Sequence, residues 1–442
     1  MSLLDKIKSA GVVGAGGAGF PTHVKLASKA DYILMNAAEC EPLLRVDQQI
    51  MDVYCDDIIH GFEMAGRLVE AKKAIIGIKY KHKQVIQKLR QRISELNLDD
   101  YISVNELKDV YPAGDEQVLV YELTGRVVPE MGIPLNVGCV VVNSETCLNI
   151  YNSMNDVAVT DSYVTIAGDI DNPCTLKVPV GTPLRKLFEL ANISNIEDYG
   201  IIDGGPMMGP LLSNLESSVT KKSKGYILLK KEHSLIKNKG VDQAQAKKLN
   251  RGSCEQCRMC TDLCPRYLLG HNLQPHKMVR TQAYNIDDLT GQQTAQLCVQ
   301  CNLCELFSCP IGIKPMHANN YFRAKLLNEG IKYSASKEVF EVRNNRDFRL
   351  VPTKRLIARL GLYKYDRPAP LLDKDIDISQ VKIATRQHVG APAKPIVSVG
   401  DNVVKGQLIG IIQENSLGAN IHSSINGVVV DVNDNYITIR RD

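Results

Sequence analysis

The sequence predicts a multidomain α/β protein, and three observations carry that prediction. Over about the first 150 residues, short apolar strands ending in polar groups alternate with helical stretches. Eight of the 13 cysteines fall in two regular runs, each closed by a proline. About the last 60 residues break into short strands separated by glycine turns. At 442 residues the chain has room for several domains of about 100–200 residues. Hydrophobic residues at 44% and charged residues at 23% exclude wholesale disorder. A net charge of +4, from 53 basic and 49 acidic residues, is too small for a dedicated nucleic-acid binder. No apolar run approaches the roughly 18 residues of a membrane span, and Met1–Phe20 lacks a signal-peptide core. The protein is therefore read as cytoplasmic, where regularly spaced cysteines are metal ligands or redox groups rather than disulfides.

The first cysteine run is Cys254-x2-Cys257-x2-Cys260-x3-Cys264-Pro265, and the second is Cys298-x2-Cys301-x2-Cys304-x4-Cys309-Pro310. Three thiolates at i, i+3 and i+6 wrap three irons of a cubane, and the fourth, beyond a spacer, ligates the other cluster. The expected ligand sets for two [4Fe–4S] centres are Cys254, Cys257, Cys260 and Cys309, and Cys298, Cys301, Cys304 and Cys264. The alternative is a pair of structural zinc sites, which also use C-x2-C pairs but leave the third cysteine of each run unexplained. The x4 spacer before Cys309 requires a one-residue bulge. Residues 221–251 carry ten Lys/Arg against Glu232 and Asp242; this run reads as a solvated linker or as a countercharge to anionic clusters.

The N-terminal third opens on Gly11-Val-Val-Gly14-Ala-Gly16-Gly17-Ala-Gly19-Phe20-Pro21, followed by a candidate helix with Lys25. Such a loop lets backbone N–H groups approach an anion closely. Tyr32-Ile-Leu-Met-Asn36 reads as a buried strand ending in Ala38-Glu39-Cys40-Glu41-Pro42, where open α/β sheets bind ligands. Ala74-Ile-Ile-Gly-Ile is a second strand, a charged helix follows at 81–96, and Val140-Val-Val-Asn143-Ser-Glu145-Thr146 is a further strand with a polar end. The pattern is that of a Rossmann-like domain. Cys55, Cys139, Cys147 and Cys174 are expected to be buried as small hydrophobes. No H-E-x-x-H is present, which argues against a zinc hydrolase.

The loop G-x-G-G-A-G-F-P-T-x-x-K, with N-A-x-E-x-E-P, Y-x-x-G-x-E and N-x-E-T, resembles the FMN- and NADH-binding subunit of respiratory complex I. Joined to two ferredoxin runs, it is closer to the C subunit of the Rnf electron-transport complex. In length and domain order it resembles the cobalamin reductase family of propanediol-utilisation microcompartments. The resemblance implies a Rossmann-like FMN/NADH-binding domain over 1–158, an SLBB β-grasp domain over 159–215 and a basic linker over 216–245. A two-cluster ferredoxin-like helical domain over 246–330, a connecting segment over 331–378 and a β barrel-sandwich module over 379–442 complete the chain. In that module the turn at 413–418 contains no lysine, so no lipoate or biotin is expected. The loop Gly204–Gly209 is expected to be a structural turn.

Carried over by motif, Gly14, Gly16, Gly17 and Gly19 line the flavin phosphate loop and Lys25 contacts the FMN. Asn36, Glu39 and Glu41 face the flavin ring and the nicotinamide, with Glu39 and Glu41 as the catalytic pair. Tyr111, Gly114, Glu116, Asn143 and Thr146 complete the pocket, and Phe20 stacks on the NADH adenine. Ala38 and Ser28 depart from the complex I pattern, which makes the FMN site firmer than the NADH site. The implied function is passage of electrons from NADH through FMN and two [4Fe–4S] clusters to cobalamin. The alternative is an electron-transfer subunit with a protein acceptor. With no D-x-H-x-x-G motif, a corrinoid is expected to be a substrate and not a resident cofactor. A microcompartment shell protein or a corrinoid adenosyltransferase is the implied partner, and the first helix reads as a targeting tag or as a helix docked on its own domain.

Overall fold

Four parallel strands build the N-terminal sheet, in the spatial order Ile102–Leu107, Lys73–Lys79, Tyr32–Ala37 and Cys139–Asn143. The computed structural model describes residues 1–335, 339–372 and 376–441; residues 336–338 and 373–375 of the expected connecting segment, and residue 442, lie outside the described residues. The central strand has side chains on both faces in apolar cores. Ile33, Met35 and Ala37 join one core and Leu34 the other, as the period-two geometry of a strand requires. Helices Cys55–Leu68, Lys83–Glu95, Glu116–Thr124 and Ser144–Met154 cover the sheet. In Lys83–Glu95 the buried residues Ile86, Leu89 and Ile93 recur at helical spacing while its charged residues face solvent. The first helix, Leu3–Ser9, buries Ile7 and packs Leu3 and Leu4 on the same core. Cys55, Cys139, Cys147 and Cys174 are all buried.

The second sheet has five strands in the order Leu371–Leu372, Cys174–Pro179, Asp161–Gly168, Gly225–Lys230 and Tyr199–Asp203. Asp161–Gly168 pairs antiparallel with Cys174–Pro179 and parallel with Gly225–Lys230. The stretch 216–245, expected as a linker, therefore contributes an inner strand and the helix Ser234–Lys239. The physical reason is Tyr226-Ile-Leu-Leu229, buried throughout between the basic residues on either side.

Residues 243–328 form short helices with no strand among the described residues. The last segment makes two antiparallel sheets, one ordered Gln380–Ala384, Tyr436–Arg440, Gly427–Val432 and Asn402–Val403, the other Lys394–Pro395, Leu408–Ile411 and Ile421–His422. Val381, Ile383, Val403, Ile409, Ile421, Val429, Ile437 and Ile439 fill the space between them. This C-terminal module reaches the glycine loop: a Cβ on Gly19 would lie 3.0 Å from the Gln387 carbonyl oxygen. Lys221, itself buried, ties the junction by donating to the carbonyls of Gly11 and Asn420, both at 2.8 Å. Among the described residues no helix is long and apolar enough to cross a membrane.

Candidate functional site

The glycine loop closes on itself. Gly14 N–H donates to the Phe20 carbonyl at 2.9 Å, and Val13 bridges Pro21. Ala15 N–H donates to Thr146 Oγ1 at 3.0 Å, which fixes the loop against the helix Ser144–Met154. Between these anchors Gly16, Gly17 and Ala18 are exposed, and a Cβ on Gly17 would meet open space. Gly16 and Gly19 have φ of +69° and +70°, a region that favours glycine. Exposed backbone of this kind fits the phosphate of an FMN.

The sheet register sets Asn36 beside Asn143 at the carboxyl edge. Asn36 Nδ2 donates to the Gly114 carbonyl at 2.8 Å, and a Cβ on Gly114 would lie 3.1 Å from Cys40 Sγ. Asn143 caps the helix Ser144–Met154 through Glu145 N–H, and its Nδ2 donates to both oxygens of Asp47 at 3.2 Å. Glu39 accepts from Asp47 N–H and Gln48 Nε2, each at 2.8 Å, at the start of the helix Val46–Val53. Burial, then the charge of Asp47, pushes the Glu39 carboxyl up to about 7.

Lys224 completes this group from the second sheet. Its Nζ contacts Glu145 at 2.7 Å, Asp47 at 2.9 Å and Asn143 Oδ1 at 3.3 Å, while its methylenes pack where a Cβ on Gly16 would stand. Burial alone would lower the Lys224 ammonium, but the Asp47 and Glu145 carboxylates hold it above the usual lysine range. Motif reading did not single out Asp47, Glu145 and Lys224, which the structure brings together beside the glycine loop. Glu145 stood inside N-x-E-T as a signal; Lys224 had none beyond the basic run. Lys25, in contrast, bonds the Val141 carbonyl at 3.0 Å and Glu116 at 3.3 Å. Ser28 turns its hydroxyl back to the Lys25 carbonyl.

Glu41 and Tyr111 point to other elements. Glu41 accepts from Met207 N–H at 2.8 Å and Met208 N–H at 2.9 Å, so the Gly204–Gly209 turn cradles a carboxylate of this chain. Burial raises the Glu41 carboxyl against the pull of those two N–H groups. Asn302 and Lys239 both donate to the Met207 carbonyl. Tyr111 donates to the Cys301 carbonyl at 2.7 Å. Asp115, cap of the helix Glu116–Thr124, pairs with both guanidinium nitrogens of Arg266 at 2.5 and 2.9 Å. Arg266 follows Cys264-Pro265 directly, so two motif neighbours of the flavin domain grip the cysteine region.

The eight cysteines separate into two sets. Cys254, Cys257, Cys260 and Cys309 line one cavity, and Cys264, Cys298, Cys301 and Cys304 line another. Each donor set is four sulfurs on a partly apolar wall, which fits a thiolate-ligated cubane. The backbone repeats: Gln256 and Arg258 in the first run, Gln300 and Asn302 in the second, all have φ between +55° and +66°. These turns curve the chain so that successive sulfurs face one centre. The extra residue before Cys309 is absorbed by a π-helical turn, Leu303–Ser308, a geometry that inserts one residue into a helix. Burial and the neighbouring thiolates push Cys260 up to about 12, and burial pushes Cys264 to about 11, so iron must displace protons to bind. Cys264, Cys301 and Cys304 are buried, whereas Cys257 is exposed.

Residues 7–152 match the Nuo51 FMN-binding domain, 253–314 a 4Fe-4S dicluster domain and 373–441 the RnfC barrel sandwich hybrid domain. Fold and site thus define an oxidoreductase that combines a flavin domain with two iron–sulfur centres in one chain. Over 444 residues it is 40% identical to the cobalamin reductase PduS of Citrobacter freundii, covering 100% of this chain and 96% of that protein. The Salmonella typhimurium cobalamin reductase PduS is 40% identical over 441 residues, covering 99% and 96%. The chain belongs to the PduS cobalamin reductase family. The C subunit of the Na(+)-translocating ferredoxin:NAD(+) oxidoreductase complex of Acetobacterium woodii is 33% identical over 273 residues, 60% of this chain and 58% of that protein. A crystal structure of an NAD+-reducing [NiFe]-hydrogenase aligns over 83% of this chain and 67% of that one, at 20% identity and a TM-score of 0.48.

Proposed function

We propose that this chain is an NADH-dependent cobalamin reductase, passing electrons through FMN and two [4Fe–4S] clusters to a corrinoid. One NADH then reduces two cob(III)alamin to cob(II)alamin, with release of NAD+ and one proton. Bound FMN takes an electron pair as hydride and iron–sulfur clusters carry electrons singly. The observation that carries this reading is the seating of the Cys264, Cys298, Cys301 and Cys304 set on the flavin domain through Tyr111 and Arg266.

The chain's own residues have distinct tasks in this reading. The parallel sheet, ordered as in one half of a Rossmann fold, presents Asn36 and Asn143 to the flavin. Gly14, Gly16, Gly17 and Gly19 receive its phosphate, Thr146 holds that loop, and Lys25 with Glu116 balances charge beside it. Phe20 flanks the NADH entry, and Gly114 leaves room for the ring edge. Glu39 faces the nicotinamide, with a carboxyl that changes charge near neutrality. Glu41, with both oxygens engaged by N–H groups, positions the 204–209 turn and is a positioning residue. The eight cysteines hold the clusters. We read the second sheet as a β-grasp SLBB module that extends to about residue 240, because the strand Gly225–Lys230 pairs within it. With it we set domain limits near 158, 240, 330 and 378. A microcompartment setting, with a shell protein or corrinoid adenosyltransferase as partner, accords with the family.

The test is an anaerobic assay of the FMN- and iron-loaded chain with NADH and a panel of acceptors. Reduction of cob(III)alamin supports the proposal. Reduction of artificial dyes with cobalamin untouched would instead identify an electron-transfer subunit that serves a protein acceptor.

A further inference from the structure

The two cysteine sets differ in what surrounds them. The set containing Cys301 is enclosed by the flavin domain, the 204–209 turn and its own loops, and Cys304 faces Cys260 of the other set. The set containing Cys254 opens outward: Cys257, Met259 and Ile311 are exposed beside it. From Cys254 a cleft runs past Arg251, Gln256, Arg280 and Tyr284. Arg280 also lines the next opening, a groove of about 420 Å³ between the helices Pro275–Tyr284 and Leu289–Gln293. Arg280 stands on the wall of both openings, and Cys254, a cluster ligand, lines the first.

The walls of these two openings are chemically mixed. Among the described residues, Arg251, Lys277 and Arg280 have no carboxylate partner, and all three are exposed. Asp288, the acidic residue on the groove wall, is engaged as cap of the helix Leu289–Gln293; Glu255 stands at the cleft mouth. Tyr284 is 70% exposed and Ile286 is 42% exposed, so an aromatic and an aliphatic face lie open beside the cations. An acceptor that suits this wall is broad, has an apolar face and carries a fixed anion. A complete corrinoid has these features: a macrocycle with an apolar face, and a phosphodiester in its nucleotide loop.

Resting on the cobalamin-reductase reading above, we propose that the groove between Pro275–Tyr284 and Leu289–Gln293, together with the cleft at Cys254 and Tyr284 that shares Arg280 with it, docks the corrinoid acceptor. Arg280 and Lys277 hold the nucleotide-loop phosphodiester, and Tyr284 and Ile286 contact the macrocycle. Each docked cob(III)alamin takes one electron from the adjoining Cys254 centre and leaves as cob(II)alamin. The paired electrons and the proton are accounted for by NADH at the flavin end.

The test measures cob(III)alamin binding to the loaded protein by equilibrium dialysis, together with KM and kcat for its reduction. It compares the native chain with R280E, K277E and the milder R280Q. Iron content and the EPR spin count of both centres certify that each variant is intact. The expected result is at least tenfold weaker cobalamin binding in R280E and K277E, a KM raised in step and kcat within about twofold. Binding of cobinamide, which lacks the phosphodiester, is expected to be the same in variants and native chain. Native-like cobalamin binding in the variants, with the native chain still reducing cobalamin, overturns the groove and leaves the function standing. Equal loss of cobalamin and cobinamide overturns the phosphodiester contact. A fully loaded native chain that neither binds nor reduces cobalamin overturns the functional reading as well.

Discussion

Tyr111 of the flavin domain donates its phenolic hydrogen to the main-chain carbonyl of Cys301 across 2.7 Å, joining residues 190 positions apart. Both groups are buried, and burial raises the Tyr111 phenol far above its ordinary value, so the hydroxyl stays protonated as a donor. Tyr111→Phe leaves the Cys301 carbonyl without that donor at a cost of about 1–3 kcal/mol. The expected outcome is a lower denaturation midpoint with both iron centres retained, and slower cluster reduction after NADH mixing in stopped flow.

The Asp115–Arg266 pair sits a few residues away, with side chains only 6% and 8% exposed. A buried pair loses about 3–5 kcal/mol when one partner is removed, because the other is left uncompensated. Asp115→Ala and Arg266→Ala are each expected to lose that much. The double variant is expected to lose less than the two together by about 0.5–3 kcal/mol, measured as a cycle in urea unfolding. Full additivity would mean that the two groups do not share the interaction.

Among the described residues, Lys224 is the one cation paired with both Asp47 and Glu145. Lys224→Met leaves two buried carboxylates facing each other beside the glycine loop. FMN retention is expected to fall at least tenfold, read as flavin released on gel filtration. Lys25→Ala, which leaves Glu116 without its cation beside the loop, is expected to weaken retention by a similar factor, about 1.4 kcal/mol per tenfold. Full flavin occupancy in both variants would assign the loop another ligand.

Lys221 gives the chain a pH signature. Its ammonium has only carbonyl acceptors, and burial lowers it from 10.5 to about 7. Between those values the unfolded chain holds a proton that the folded chain has lost, so stability rises with pH across the window. Below about pH 7 the folded state carries the buried charge and that gain is absent. Lys221→Met is expected to flatten the rise in Tm between pH 7 and 9.5; an unchanged slope would place its origin elsewhere.

How far the sequence disclosed this arrangement depended on whether the signal was local. The two cluster sites were legible because three sulfurs on one loop need a fixed interval, and the x4 spacer announced an irregularity that the chain meets with a π-helical turn at Leu303–Ser308. The strand ends at Asn36 and Asn143 were legible from apolar runs meeting polar residues. The strand Gly225–Lys230 was hidden because its four apolar residues, Tyr226 to Leu229, lie inside a basic run. Glu41 with Met207, and Asp115 with Arg266, lie 166 and 151 residues apart, and spacing along a chain carries no information about such pairs. The same holds for the C-terminal module against Gly19, where the Gln387 carbonyl meets the loop at a junction tied by Lys221.

The most direct test of the route is NADH reduction of a Cys257→Ala variant that keeps its FMN, followed by freeze-quench EPR and the appearance of cob(II)alamin in parallel. Cys257 is the exposed member of the outer set, so its loss is expected to remove that centre and leave the flavin domain folded. The expected result is NADH-dependent reduction of the remaining centre at close to the native rate, with cobalamin reduction lowered at least a hundredfold. Cobalamin reduction at the native rate without the outer centre would contradict the route, because electrons would then leave the protein before reaching the Cys254 set.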